Sequence, residues 1–194
     1  MNVAIISTSP RKGSNSLKVA KYIKSLLEKK EGLHITISDF ENADIPLIGR
    51  GSIELENLTP FQDNLIQQWK EADLVIFTVP EYNWFTGGEL FNAFHQLGNR
   101  NLKYLFDQKT FAFAGVSNGR GGRLPGIEMT TLLNKLISVL GGYSIVSPLI
   151  FESQATQNRL DEDGISKGDA IYEKAAEEFV TYGLAMASRW KRGA

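Results

Sequence analysis

The stretch Thr8-Ser9-Pro10-Arg11-Lys12-Gly13-Ser14-Asn15-Ser16 gathers hydroxyls, an amide and two cations, with almost nothing to bury. Neutral donors beside an arginine fork suit a terminal phosphate monoester. Its position strengthens this reading. The apolar run Val3 to Ile6 precedes it, and Leu17, Ala20, Ile23 and Leu27 follow at helical spacing. The loop therefore joins a buried strand to a helix N-terminus, where free N–H groups and the helix dipole favour an anion. Gly13 is the only glycine here, so neither a Gly-x-Gly-x-x-Gly turn nor a P-loop is present. One phosphate dianion fits better than a bridging diphosphate. The plainer alternative is an ordinary helix start capped by Ser or Asn.

Two further stretches carry chemistry. Pro80-Glu81-Tyr82-Asn83-Trp84-Phe85-Thr86-Gly87-Gly88 places three aromatics and an amide in one turn. Such a turn can line a flat ring while backbone and amide groups meet the ring's polar edge. Alternatively, Trp84 and Phe85 pack under the turn or into a subunit interface. Residues 117 to 123, Ser-Asn-Gly-Arg-Gly-Gly-Arg, are glycine-rich, so backbone can approach a ligand closely. Phosphate, polar chain and flat heteroaromatic ring together describe FMN, and describe a simple nucleotide less well.

The elements that must position these loops follow from hydrophobic periodicity. Expected strands cover Val3 to Ile6, Leu33 to Ser38, Asp73 to Val79, Thr110 to Val116 and Tyr143 to Phe151. The third is near-continuously apolar, as a central parallel strand is. Expected helices cover Leu17 to Lys30, the segment after the Thr59-Pro60-Phe61-Gln62 capping box, Glu89 to Leu97, Pro125 to Leu140 and Asp169 to Trp190. Strict alternation predicts an α/β fold: a three-layer flavodoxin-like architecture with a five-stranded parallel sheet, order 2-1-3-4-5. That order places ligands beyond the strand carboxyl ends, where the three loops would meet. One domain over residues 1 to 194 is expected, with no internal repeat or linker.

Bulk properties narrow the function. With 21 basic and 22 acidic residues the net charge is −1, which disfavours bulk-charge nucleic-acid binding. There is no cysteine and only His34 and His95, so thiol catalysis, disulfides and a Cys/His metal site are not expected. Redox chemistry would need an organic cofactor. No signal peptide or membrane-spanning run is read, so a cytoplasmic protein is expected.

With these motifs in view, the chain resembles the NAD(P)H-dependent FMN reductases, the flavodoxin-like group that includes azoreductases, quinone reductases and chromate reductases. The likeness spans roughly the whole chain. The first loop parallels that family's Gly-Ser-x-Arg-x-x-Ser-x-Asn, Pro80-Glu81-Tyr82-Asn83 is intact, and Ser117 to Gly122 parallels Ser-x-Gly-x-x-Gly-Gly. The resemblance implies that Ser9, Arg11 and Ser16 hold the phosphate, with Ser14 and Asn15 helping. It implies that Pro80, Glu81, Tyr82 and Asn83 border the ribityl chain and ring. Ser117, Gly119 and Gly122 would approach the ring from its other side. It implies FMN as cofactor, NADPH or NADH as hydride donor, and a homodimer or homotetramer as assembly. The acceptor would be a quinone, azo compound, metal oxyanion or free flavin. No side chain is assigned as a catalytic acid or base. Phe85, Gly87, Phe91 and His95 depart from the usual Ser, Pro, Lys and Asp, which bears on the substrate pocket. Two rival readings remain: a flavodoxin-like electron carrier, and a regulatory module with a degraded flavin site.

Overall fold

The structure is a computed structural model that describes residues 1–192; the last two residues of the expected domain lie outside them. Strand β1 (Asn2–Ser7) leads into helix α1 (Asn15–Leu27), then β2 (His34–Asp39), α2 (Pro60–Glu71) and β3 (Leu74–Tyr82). A short β4 (Phe85–Thr86) folds back on β3, followed by α3 (Gly88–Leu97), β5 (Thr110–Val116) and α4 (Arg123–Leu140). The chain closes with β6 (Ile145–Val146), β7 (Phe151–Ser153), a one-turn α5 (Thr156–Arg159) and α6 (Ala170–Arg192).

The order β2-β1-β3-β5-β6 is parallel throughout, with β7 also on β5 and β4 antiparallel to β3. This is the expected order, but among the described residues the sheet has seven strands rather than five. The last expected strand is split into β6 and β7. Pro148 stands between them and has no N–H for the ladder. The extra β4 comes from the aromatic turn, which closes as a two-residue hairpin with Tyr82 opposite Phe85.

Both faces of the sheet are covered, so alternate strand residues feed two cores. Ile6, Val75, Phe77, Phe111 and Phe113 pack against α2, α3 and α4, around Trp69. The Trp69 ring meets Phe77 at 5.2 Å and Phe106 at 5.3 Å between centroids, and its Nε1 donates to Leu105 O at 2.7 Å. Val3, Ile5, Leu74 and Ile76 face α1 and α6 through Ile23, Leu27 and Phe179. Helix starts follow their caps. Ser14 Oγ accepts from Leu17 N, so α1 begins at Asn15, two residues before the expected start. Thr59 and Gln62 form the expected capping box of α2. Among the described residues, no helix is long and apolar enough to cross a membrane.

Candidate active site

The three polar loops follow β1, β3 and β5, adjacent in the sheet, and they meet at one end of it. They enclose a cavity of about 360 Å³. Ser9, Arg11, Ser14, Asn15 and Ser16 line it from the first loop; Pro80, Glu81 and Tyr82, expected in the second loop, from the end of β3, which runs three residues past Val79; Ser117 and Gly119 from the third loop. Asn83 and Gly122 do not line it. Asn83 sits at the hairpin tip with φ 51°. Gly122 is packed behind its loop: a Cβ there would come within 2.6 Å of Gly115 O.

The loops are tied to each other. Ser9 Oγ and Tyr82 OH are 3.0 Å apart, and the Arg11 guanidinium lies 4.6 Å from the centre of the Tyr82 ring. Asn15 Nδ2 donates to Asn118 Oδ1 across the cavity mouth. The Gly122 N–H donates to Glu81 Oε2, and a Cβ at Gly121 would collide with the same carboxylate. Glu81 therefore fastens the third loop to the end of β3. Thr78 Oγ1 donates to Ser16 O at 2.9 Å, which seats the start of α1 on β3.

Ser16 is buried on the cavity wall at the first turn of α1, and its Oγ has no partner. Leu17 N donates to the Ser14 cap, while the N–H groups of Asn15 and Ser16 before it have no partner within the helix. This is the donor set that an anion requires.

Lys12, Gly13, Val116, Asn118 and Gln157 also line the cavity. Gln157 stands on α5, in a segment that reads as a featureless polar loop. The signal for it is positional: it follows the carboxyl end of β7, the side on which such sheets bind ligands. The aromatic turn does not pack under itself. Trp84 is 73% exposed and Phe85 63% exposed. On the third loop Arg123 is paired with Glu152 at 2.7 Å, whereas Arg120 makes no ion pair among the described residues.

The fold and cavity define a flavodoxin-like mononucleotide-binding protein. Residues 1–156 match the NADPH-dependent FMN reductase family, and the chain belongs to that family. An NAD(P)H-dependent FMN reductase of Pseudomonas aeruginosa is 28% identical over 182 residues, covering 92% of each chain. Another, from Saccharomyces cerevisiae, is 24% identical over 163 residues, 77% of this chain and 82% of its own length. Among solved structures, the flavoenzyme NAD(P)H:(acceptor) oxidoreductase FerB of Paracoccus denitrificans superposes with TM-score 0.74 at 20% identity, over 97% of both chains. An FMN-dependent NADH-azoreductase of Bacillus anthracis, in complex with FMN, gives TM-score 0.59 at 16% identity over 96% and 100%. These two likenesses concern the fold. The family carries the function: the chain is an FMN-dependent oxidoreductase that draws on NAD(P)H. The electron-carrier reading is the less supported one.

The residues present fit FMN. The unpartnered Ser16 Oγ, the open helix start and Arg11 supply donors for a phosphate. Gly119 has nothing within 4 Å of where a Cβ would stand, so the third loop presents bare backbone.

Proposed function

We propose that ten of the cavity-lining residues, Ser9, Arg11, Ser14, Asn15, Ser16, Pro80, Glu81, Tyr82, Ser117 and Gly119, hold FMN, and that the reduced enzyme passes electrons to a small acceptor. The observation that carries this is the buried, unpartnered Ser16 Oγ at the open start of α1, beside Arg11. Ser9, Ser16 and Arg11 take the phosphate, and Ser14 shapes the loop by capping α1. Arg11 reaches the phosphate by sliding off the Tyr82 face, an exposed cation–π contact that is cheap to give up. Pro80 and Tyr82 border the ribityl chain and ring. Glu81 sets the height of the third loop, so that Ser117 and Gly119 meet the ring from the other side. Asn83 and Gly122 act through the backbone geometry of their turns.

Bound FMN supplies the hydride chemistry itself. The chain's task is to orient it and leave one side open, and Gly119 keeps that wall low. Arg120, unpaired on the rim, is placed to meet a nicotinamide dinucleotide phosphate. The acceptor class remains a quinone, azo compound, metal oxyanion or free flavin. Exposed Trp84, Phe85 and Phe91 support a homodimer or homotetramer, since isolated chains rarely show such aromatics together. A single working unit over residues 1–194 and a cytoplasmic setting suit an enzyme fed by a soluble nicotinamide pool.

The test is direct. Anaerobic NADPH or NADH is expected to bleach the absorbance of protein-bound FMN without any added protein reductase. Flavin that stays oxidised with both nucleotides, yet bleaches when a protein reductase is supplied, would return the chain to the carrier class.

A further inference from the structure

Asn118-Gly119 is the only Asn-Gly pair in the chain. It stands on the third loop, where Asn118, Gly119 and Arg120 are all exposed. Asparagine is a thermolabile residue. A following glycine has no side chain to shield its backbone nitrogen, so that nitrogen can swing onto the asparagine carboxamide. The fold leaves room for this motion. No atom stands within 4 Å of where a Cβ on Gly119 would be. Gly119 N donates only through a long 3.2 Å bond to Ser117 Oγ. Gly119 O accepts from Ala155 N at 2.9 Å, which fixes the peptide after Gly119 and not the one that has to move.

The carboxamide itself is set up for attack. Asn118 Oδ1 accepts from Asn15 Nδ2. A donor on that oxygen draws electrons from Cγ and meets the negative charge that develops when the carbon is attacked. Asn118 Nδ2 has no partner among the described residues, so nothing holds back the group that has to leave. Asn92 is the opposite case. It is 8% exposed inside α3, its Nδ2 donates to Pro46 O at 2.9 Å, and its Oδ1 accepts from Ile48 N at 3.0 Å.

We propose that Asn118 is a site of spontaneous covalent modification in the folded protein, by deamidation. The Gly119 nitrogen bonds to Asn118 Cγ, the Cγ–Nδ2 bond breaks, and the proton lost by the Gly119 nitrogen departs with the leaving group as ammonia. Water then opens the succinimide ring to aspartate or isoaspartate. One water is consumed, one ammonia is released, and nothing is oxidised or reduced. The product matters because Asn118 lines the flavin cavity where the third loop meets the first. A neutral amide there becomes a carboxylate beside the donors of the first loop, and the isoaspartyl form also lengthens the backbone by one carbon. Like charge disfavours a phosphate dianion in the same cavity. This consequence rests on the FMN reading; the modification does not.

The test is peptide mapping by mass spectrometry. FMN-loaded protein is held for days in mildly alkaline buffer, below its unfolding temperature. The peptide containing Asn118 is expected to exchange NH2 for OH in mass, at a rate within tenfold of a free peptide of the same sequence. The rate is expected to rise with pH, because the attacking nitrogen must lose its proton. Gly119→Ala is expected to slow the conversion at least fivefold, and the added methyl group meets no neighbour. Conversion confined to the free peptide, a native rate more than tenfold below the peptide's, or an unchanged rate in Gly119→Ala would each overturn the proposal. Asn118→Asp reproduces the aspartate product and is expected to weaken FMN at least threefold, with a smaller loss for riboflavin. An unchanged FMN affinity in that variant would overturn the consequence for the cavity. The flavin assignment is judged by bleaching with NAD(P)H, so the modification and the flavin reading can fail separately.

Discussion

At the amino ends of the strands, polar groups are paired off. Asn2 N donates to Asp73 Oδ2 at 2.9 Å, Lys191 Nζ meets the same carboxylate at 3.0 Å, and Lys109 Nζ donates to Lys70 O and Ala72 O at 2.8 Å. At the carboxyl ends, Ser16 and Glu89 each keep a buried oxygen without a partner, while Ser7 and Asp39 face each other. Among the described residues, Thr110 is the one such residue at the amino end. Of the non-glycine residues with positive φ, Asn83, Trp84 and Ala155 at 51°, 73° and 46° lie at the carboxyl end, and Gln108 at 58° lies at the amino end. One end of the sheet pairs most of its polar groups, and the other leaves more of them unpaired around the cavity. Marginal stability makes that division necessary, since unmet donors and strained turns must be offset elsewhere.

The largest expected effect is at the amino end. Trp69 lies near the C-terminus of α2, fully buried, with Phe77, Phe94, Phe106 and Phe111 around its ring. Trp69→Ala is expected to cost about 3–5 kcal/mol in urea unfolding, the usual range for such truncations. FMN affinity measured on the still-folded fraction should hold. A matching loss of FMN affinity would show that the two ends are not separable.

Arg11→Ala is the mirror experiment. FMN binding is expected to weaken by about 1.5–3 kcal/mol, the range for a charge-assisted hydrogen bond. Riboflavin lacks the phosphate and should bind almost as before, and the unfolding midpoint should barely move. Equal losses for FMN and riboflavin would mean that Arg11 does not act on the phosphate.

Trp84 tests whether strain is stored at the carboxyl end. A two-residue hairpin with both φ positive favours Asn then Gly, and here a tryptophan holds the glycine position. Trp84→Gly is expected to stabilise the isolated chain by about 1–2 kcal/mol, the scale of a non-glycine left-handed residue. The same change should loosen any oligomer, read by sedimentation. A variant with unchanged stability and assembly would mean that the turn stores nothing.

How much of this was legible in the residues depends on what each residue type determines locally. The buried strands and the Thr59–Gln62 box could be read because periodicity and capping are local. The three loops could be read because their polar types had no role in a core. The split at Pro148 was readable from proline alone but was hidden inside an apolar run. Gln157 was not legible, because nothing in a glutamine distinguishes a cavity wall from a solvated loop. Gly122 read as ring-facing, whereas its missing side chain serves the close approach to Gly115. Pairwise contacts of that kind, like Glu81 with Gly122, exist only once the chain has folded.

The smallest expected effect concerns pH and the paired end. Lys109 is buried, and desolvation lowers its pKa from 10.5 to about 8, with Asp73 and Asp107 opposing the shift. In the unfolded chain the amine keeps its proton to the ordinary value near 10.4. Between those two values the unfolded state binds more protons than the folded one, so this group makes stability rise with pH. The penalty is fully present below about 8 and is relieved as pH climbs toward 10. From pH 8 to 9 the gain is at most about 1 kcal/mol. It should fall below that bound, because two carbonyl oxygens at the C-terminal end of α2 favour the charged amine. Lys109→Met removes the titration and leaves both carbonyls without their donor. It is expected to be less stable at pH 8 by no more than about 1 kcal/mol, because losing the buried charge offsets part of the cost of the two carbonyls. The difference between wild type and variant should widen by pH 9, read from paired urea titrations. Parallel pH profiles would show that Lys109 stays charged when folded, so that the two carbonyls and the aspartates outweigh its burial.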